Sequence, residues 1–83
     1  MDVEIYTLSY CPYCAAAKNF FDEKKIKFIE YELDGDEEVE FRNLAKKFDI
    51  KGEVTAPQII IDGVRIGGYT DLMHKVDTGE IKI

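Results

Sequence analysis

Cys11-Pro12-Tyr13-Cys14 holds both cysteines of the chain, separated by two residues. A thiolate, not a thiol, attacks a disulfide, and a second thiol close behind can resolve the mixed disulfide that results. Pro12 suits the first position of a helix, because the N–H it lacks would be unpaired there. Cys11 then falls at the N-cap, where free N–H groups and the helix dipole favour a thiolate. Residue types and spacing together point to thiol–disulfide exchange. A zinc site would need four ligands. This chain offers one cysteine pair and a distant His74, which reads as a surface or boundary residue, so no metal is expected.

The elements needed to position the pair are legible on either side of it. Val3 to Leu8 reads as a strand of β-branched and aromatic residues. A helix from Pro12 to about Lys25 puts Cys14, Ala17 and Phe21 on one face, with Phe20 beside them. Cys14 is therefore expected toward the core and Cys11 at the exposed tip, an attacking thiol and a shielded, resolving one. Lys27 to Leu33 is a second strand, with Ile29, Tyr31 and Leu33 on one face. Asp34-Gly35-Asp36 is a turn and N-cap before a helix from about Glu37 to Phe48. The acidic start and basic end of that helix match its dipole, and its apolar stripe is Phe41, Leu44, Ala45 and Phe48. A polar connection containing Gly52 leads to two short strands, Gln58 to Ile61 and Val64 to Ile66, joined by the hairpin signal Asp62-Gly63. A last helix, about Thr70 to Asp77, carries Tyr69, Leu72, Met73 and Val76 on one side. The order β-α-β-α-β-β-α predicts an α/β fold with a four-stranded mixed sheet and three helices, its first crossover right-handed.

At 83 residues the chain is expected to form one domain, 1–83. A hydrophobic content of 46% against 34% charged argues for a folded soluble protein rather than disorder. The net charge of -6 argues against binding nucleic acid or anionic membrane, both of which need a basic patch. The acidic run from Asp34 to Glu40 reads as a turn and a helix start. No basic n-region or long apolar stretch is present, so neither a secretory leader nor a membrane span is expected. Two cysteines are too few for a disulfide-stapled secreted scaffold, so a reducing, cytoplasmic location is expected.

Three segments resemble a glutaredoxin, and the resemblance covers nearly the whole chain. Cys11-Pro12-Tyr13-Cys14 matches the active-site tetrapeptide of dithiol members. Thr55-Ala56-Pro57 stands where the family usually has Thr-Val-Pro. Gly67-Gly68-Tyr69-Thr70-Asp71-Leu72 is similar to its Gly-Gly-Tyr-x-Asp-Leu segment. The resemblance implies the thioredoxin fold, catalytic Cys11 and Cys14, and glutathione as reductant and cosubstrate. It implies a cis Pro57 close to Cys11, with Thr55 and the backbone of Ala56 available to pair with a substrate peptide. Gly68 lets the backbone approach a ligand, and the N–H groups of Thr70 and Asp71 suit the carboxylate of the γ-glutamyl end. The Asp71 side chain suits the ammonium beside it. Arg42 is the best match for the basic residue that holds the glycine carboxylate, and Tyr13 would line the thiol site. One departure is Leu8, where many members carry a lysine. Loss of that cation should weaken glutathione binding or make the Cys11 thiol harder to ionise. Lys18 reads as a solvent-facing helix residue and not as a substitute.

The reading that follows is a monomeric oxidoreductase that reduces protein disulfides and protein–glutathione mixed disulfides. Family potentials of about −200 to −230 mV lie near the cytosolic glutathione poise, so reduction by glutathione is feasible. Two alternatives stay open. One is a redoxin served by thioredoxin reductase and donating electrons to ribonucleotide reductase, toward which Leu8 and Ala56-Pro57 lean. The other is an iron–sulfur cluster shared by two chains through Cys11 and glutathione, which Pro12 disfavours.

Overall fold

The computed structural model describes residues 1–33, 37–51 and 54–83. The Asp34-Gly35-Asp36 turn and Gly52 lie outside the described residues. Seven elements follow in the expected order: β1 (Val3–Thr7), α1 (Pro12–Glu23), β2 (Phe28–Glu32), α2 (Glu37–Phe48), β3 (Gln58–Ile61), β4 (Val64–Gly67) and α3 (Tyr69–Asp77).

The strands form one mixed sheet in the order β2-β1-β3-β4. β1 pairs parallel with β2, Ile5 opposite Glu30, and antiparallel with β3, Ile5 opposite Ile59. The α1 crossover makes the parallel pair possible, since two parallel strands cannot be joined by a tight turn. β3 and β4 are antiparallel and joined at Asp62 and Gly63, whose φ values of 51° and 81° fit the two positive-φ positions of a type I′ hairpin. The Asp62 carboxylate also accepts a hydrogen bond from the Asp2 N–H at 2.8 Å, tying the hairpin to the start of β1.

Alternation along β1 divides its side chains between two layers. Val3 and Ile5 pack with Ala17 and Phe21 of α1, Ile59 and Ile61 of β3 and Leu72 of α3 in the main core. Tyr6 points to the opposite face and packs against a smaller cluster of Leu8, Leu33 and Leu44, joined there by Phe41 and Phe48 of α2. β1 and β3 thus lie between two apolar layers, and all four residues of β3 are buried. The expected face of Cys14, Ala17 and Phe21 is the buried face of α1.

Two local expectations are corrected. α1 ends at Glu23 rather than near Lys25, because Lys25 takes a left-handed φ of 58°. The Lys25 N–H bonds to the Asp22 carbonyl and the Ile26 N–H to the Phe21 carbonyl, the pattern of a Schellman stop. In β2 the Ile29–Tyr31 face is not covered by the core: Ile29 is 57% and Tyr31 40% exposed, and only Leu33, beyond the strand, is buried. Tyr31 instead stacks on Tyr6, with ring centroids 5.0 Å apart.

Candidate active site

β1 delivers the chain to the start of α1, and the dithiol segment sits at that joint. Cys11 is the N-cap, with extended φ and ψ of −96° and 112°, and Pro12 follows at the first helical position. The Cys11 sulfur accepts a hydrogen bond from the Cys14 backbone N–H at 3.3 Å, the bond expected of a capping side chain. Both cysteines are free thiols. Cys11 is half-buried, whereas Cys14 is only 1% exposed. Burial pushes the Cys14 thiol from its ordinary value of 9.0 up to about 12, helped by the hydrogen bond it shares with Cys11. The Leu8 backbone and the charge of Lys18 oppose that rise. The two thiols are therefore unequal in access, and Cys14 holds its proton tightly.

The second component is the loop before β3. The Ala56–Pro57 peptide is cis. The Cys11 thiol donates to the Ala56 carbonyl at 3.5 Å, so residues 45 positions apart meet here. Buried Gln58 fixes the loop from behind. Its side-chain amide donates to the Thr55 carbonyl at 2.6 Å, and Arg65 donates to its amide oxygen at 3.2 Å.

The third component is the start of α3. The Asp71 carboxylate reaches back to accept the Gly68 N–H at 3.0 Å. The helical ladder begins with the Leu72 N–H on the Gly68 carbonyl. N–H groups of the first turn between these points have no intrahelical acceptor, which makes this end a natural carboxylate site. Gly67 has φ of 117°, and a Cβ there would lie 2.5 Å from the Asp71 Oδ2. Asp71 can fold back on Gly68 only because residue 67 has no side chain.

Together these parts line a groove of about 370 Å³: Tyr13 from α1, Thr55, Ala56 and Pro57 from the loop, and Gly68 to Asp71 from α3. Every ligand-contact position expected from the sequence is in this groove except Arg42. Arg42 lies exposed on α2, ion-paired at 3.2 Å with Glu38 one turn earlier. Tyr69 lines the groove although its sequence position suggested only core packing. Its ring stacks with Tyr13 at 6.2 Å between centroids. The apolar stripe of α3 ends at its first residue, where a side chain can touch both core and groove. A cavity of about 510 Å³ at the other end of β1 is bordered by Met1, Asp2, Glu4, Lys27 and Ile29 and contains no thiol.

The family model for glutaredoxin matches residues 3–66. The chain is 42% identical over 74 residues to Glutaredoxin 3 of Escherichia coli K12, spanning 86% of this chain and 81% of that protein. The chain belongs to the glutaredoxin family. Among solved structures, Glutaredoxin 1 of Francisella tularensis in complex with cacodylate gives a TM-score of 0.82 at 34% identity, covering 95% of both chains. A buckwheat glutaredoxin–glutathione complex gives 0.78 at 26% identity, covering 94% of this chain and 70% of that one. The fold is thus the thioredoxin fold of glutaredoxins, and the family's chemistry is thiol–disulfide oxidoreduction.

Two residues near the dithiol set this glutaredoxin's electrostatics. Leu8 is buried in the smaller apolar cluster, against which Cys11 and Ala56 also pack. It backs the dithiol with hydrocarbon and brings no charge. Lys18 corrects the expectation of a solvent-facing residue: it is half-buried, and its ammonium sits 2.9 Å from the Glu30 carboxylate. Its partner lies on β2, so the periodicity of α1 alone gave no sign of the pairing. Among the described residues, Asp71 is the one charged side chain lining the groove.

Proposed function

We propose that the protein is a glutathione-dependent thiol–disulfide oxidoreductase acting on protein disulfides and protein–glutathione mixed disulfides. The observation that carries this reading is the inequality of two thiols beside a groove with a helix N-terminus at one end. The accessible Cys11 thiolate attacks a substrate disulfide, forming a mixed disulfide and expelling the other sulfur as a thiolate. For a glutathionylated protein, the protein thiol leaves and glutathione stays on Cys11. A second glutathione then attacks that adduct, releasing glutathione disulfide and restoring Cys11. For a protein disulfide, the Cys14 thiolate attacks the Cys11 sulfur, releases the reduced protein and leaves Cys11–Cys14 oxidised. Two glutathiones return this bridge to the dithiol.

In this reading the tripeptide lies along the groove. The free N–H groups at Thr70 and Asp71 receive the γ-glutamyl carboxylate, and the Asp71 carboxylate faces the ammonium. The backbone at Thr55 and Ala56 pairs with the peptide as a short strand, beside Pro57 and Gly68. Tyr13 covers the sulfur. Arg42, expected at the glycine carboxylate, lies outside this groove and pairs with Glu38, so it has no part in this arrangement. The test is turnover of a glutathionylated protein with glutathione and glutathione reductase. Cys11→Ser should lose all activity. Cys14→Ser should keep deglutathionylation while losing reduction of protein disulfides. Full activity in the Cys11 variant would sink the assignment.

The second reading, a redoxin served by thioredoxin reductase, is favoured by one observation: the position where family members often carry a lysine holds buried Leu8. Coupling the same assay to each reductase in turn decides between them. Faster turnover with thioredoxin reductase would select the second reading.

A further inference from the structure

Resolution poses a problem at Cys14. Cys14 must become a thiolate to attack the mixed disulfide, yet it is buried and its thiol is pushed up to about 12. A fixed positive charge nearby would ease that ionisation. Lys18 supplies one. It lies one turn after Cys14 on α1, a separation that brings Cβ atoms to roughly 5–6 Å. Helical side chains tend to lean toward the N-terminal turn, which for Lys18 is the turn that carries Cys14.

The lysine is held in place. A single oxygen of Glu30, Oε2, accepts from the Lys18 ammonium at 2.9 Å and from the Thr7 hydroxyl at 2.7 Å. Thr7 is buried at the end of β1, and Glu30 stands on β2 opposite Ile5. The ammonium is thus fastened between α1 and the sheet. Among the described residues, the titratable groups acting on Cys14 are Cys11, which raises it, and Lys18, which lowers it. Glu30 and Glu32 act in turn on Lys18.

We propose that Lys18, fastened by Glu30 and Thr7, is a positioning residue for the resolving step, its ammonium stabilising the Cys14 thiolate as that thiolate attacks Cys11. The inference rests on the dithiol reading above. Lys18 is not a base in this step. The hydrogen bond that Lys18 donates to Glu30 holds its pKa above the ordinary lysine value, so it keeps its proton. The Cys14 proton leaves to water or to the departing thiolate. The Cys14–Cys11 bond forms as the Cys11–substrate bond breaks, and the electron pair goes to the leaving sulfur.

A symmetric aromatic disulfide such as dithiodipyridine tests this without glutathione, because each released half is chromophoric. The first burst reports Cys11 attack, with one half released and one held on Cys11. The second reports Cys14 attack, which releases the other half. An opposite charge at this range shifts a pKa by about one to three units, and each unit lost cuts the thiolate about ten-fold. The more basic thiolate is more nucleophilic, which returns part of that loss, so the net slowing is roughly three-fold per unit. Lys18→Met should therefore slow the second burst by roughly three- to thirty-fold and displace its pH profile upward, with the first burst within about two-fold of wild type. Lys18→Arg should restore the second burst. The Lys18→Met, Glu30→Gln double variant, which leaves no unpaired carboxylate, should stay slow. A second burst unchanged in Lys18→Met would overturn the proposal. So would an equal fall in both bursts, or an arginine variant as slow as the methionine one. Failure of glutathione turnover alone would strike only the glutathione reading, because the second burst would still report on Lys18.

Discussion

Cys14 stores a pH dependence that belongs to one side chain. Its thiol ionises at about 12 in the folded protein, against an ordinary value of 9.0. A group with a raised folded pKa stabilises the fold fully below its unfolded pKa, and that contribution is lost as pH rises toward the folded value. The reduced protein should therefore lose stability between about pH 9 and 12 through this thiol. Relative to Cys14→Ala, the wild type should lose on the order of 1 kcal/mol between pH 8 and 10, as the unfolded thiol ionises and the folded one does not. Urea unfolding of both proteins under a non-thiol reductant measures this, and parallel profiles would show that Cys14 ionises freely in the fold. The asymmetry of the two thiols was legible in the sequence, because three- and four-residue spacing places Cys14 with Ala17 and Phe21. The charge beside Cys14 was not. The helical pattern alone gives Lys18 a solvent-facing position, because its counter-ion, Glu30, is twelve residues away on another element. In sequence Leu8 marks a missing cation; its place in a cluster with Leu33 and Leu44 depends on how α2 lies against the sheet, which local spacing does not encode.

The joint between β4 and α3 shows how an element boundary shapes the groove. Gly67 and Gly68 are adjacent but do different things. At Gly67 a side chain would meet both a φ of 117° and the Asp71 carboxylate. Gly68 has φ of −87°, and a Cβ there would have the Pro57 carbonyl oxygen 3.6 Å away, ordinary contact. Gly67→Ala should cost roughly 1–3 kcal/mol, the usual range for a side chain forced into a glycine conformation, and should dislodge Asp71 from Gly68. Gly68→Ala should cost well under half as much. Thermal unfolding of the pair checks the order, and equal losses would mean that the Asp71 contact does not constrain residue 67. All seven elements were legible, because strand alternation, the helical stripes and Asp62-Gly63 agree with one another. Which face each strand shows to the core was harder to read. Ile29 and Tyr31 share a face in sequence, yet alternation gives a period and not the reach of α2, which covers Tyr6, Leu8 and Leu33 instead. Arg42 met the same limit: a position on α2 identifies a cation but not whether its helix brings it to the groove.

The whole molecule adds a field to these local effects. The chain carries a net charge of -6, and its extents are 33 × 23 × 19 Å. At about 0.01 M salt the screening length is about 30 Å, so nearly every charge is felt at Cys11; at about 0.15 M it is about 8 Å, and only neighbours are. Those neighbours do not reverse the sign: the described groove contributes Asp71, position 8 contributes hydrocarbon, and the Lys18 ammonium is offset by Glu30 at 2.9 Å. The approach of a disulfide to Cys11 should therefore depend on the disulfide's charge. Two short aliphatic disulfides of equal length, one ending in amines and one in carboxylates, isolate the effect. At low salt the cationic disulfide should react roughly ten-fold faster, within the range that surface fields give to association rates. Raising the salt should slow the cationic disulfide, speed the anionic one and narrow the ratio. Glutathione disulfide, itself anionic, should behave like the carboxylate compound. Stopped-flow rates of the Cys14→Ser variant, in which only Cys11 reacts, give the comparison directly. A ratio independent of salt would place the selectivity in direct groove contacts. The expected convergence would place it in the acidic surface as a whole, and protein disulfides set in basic surroundings would then be the substrates this surface draws in.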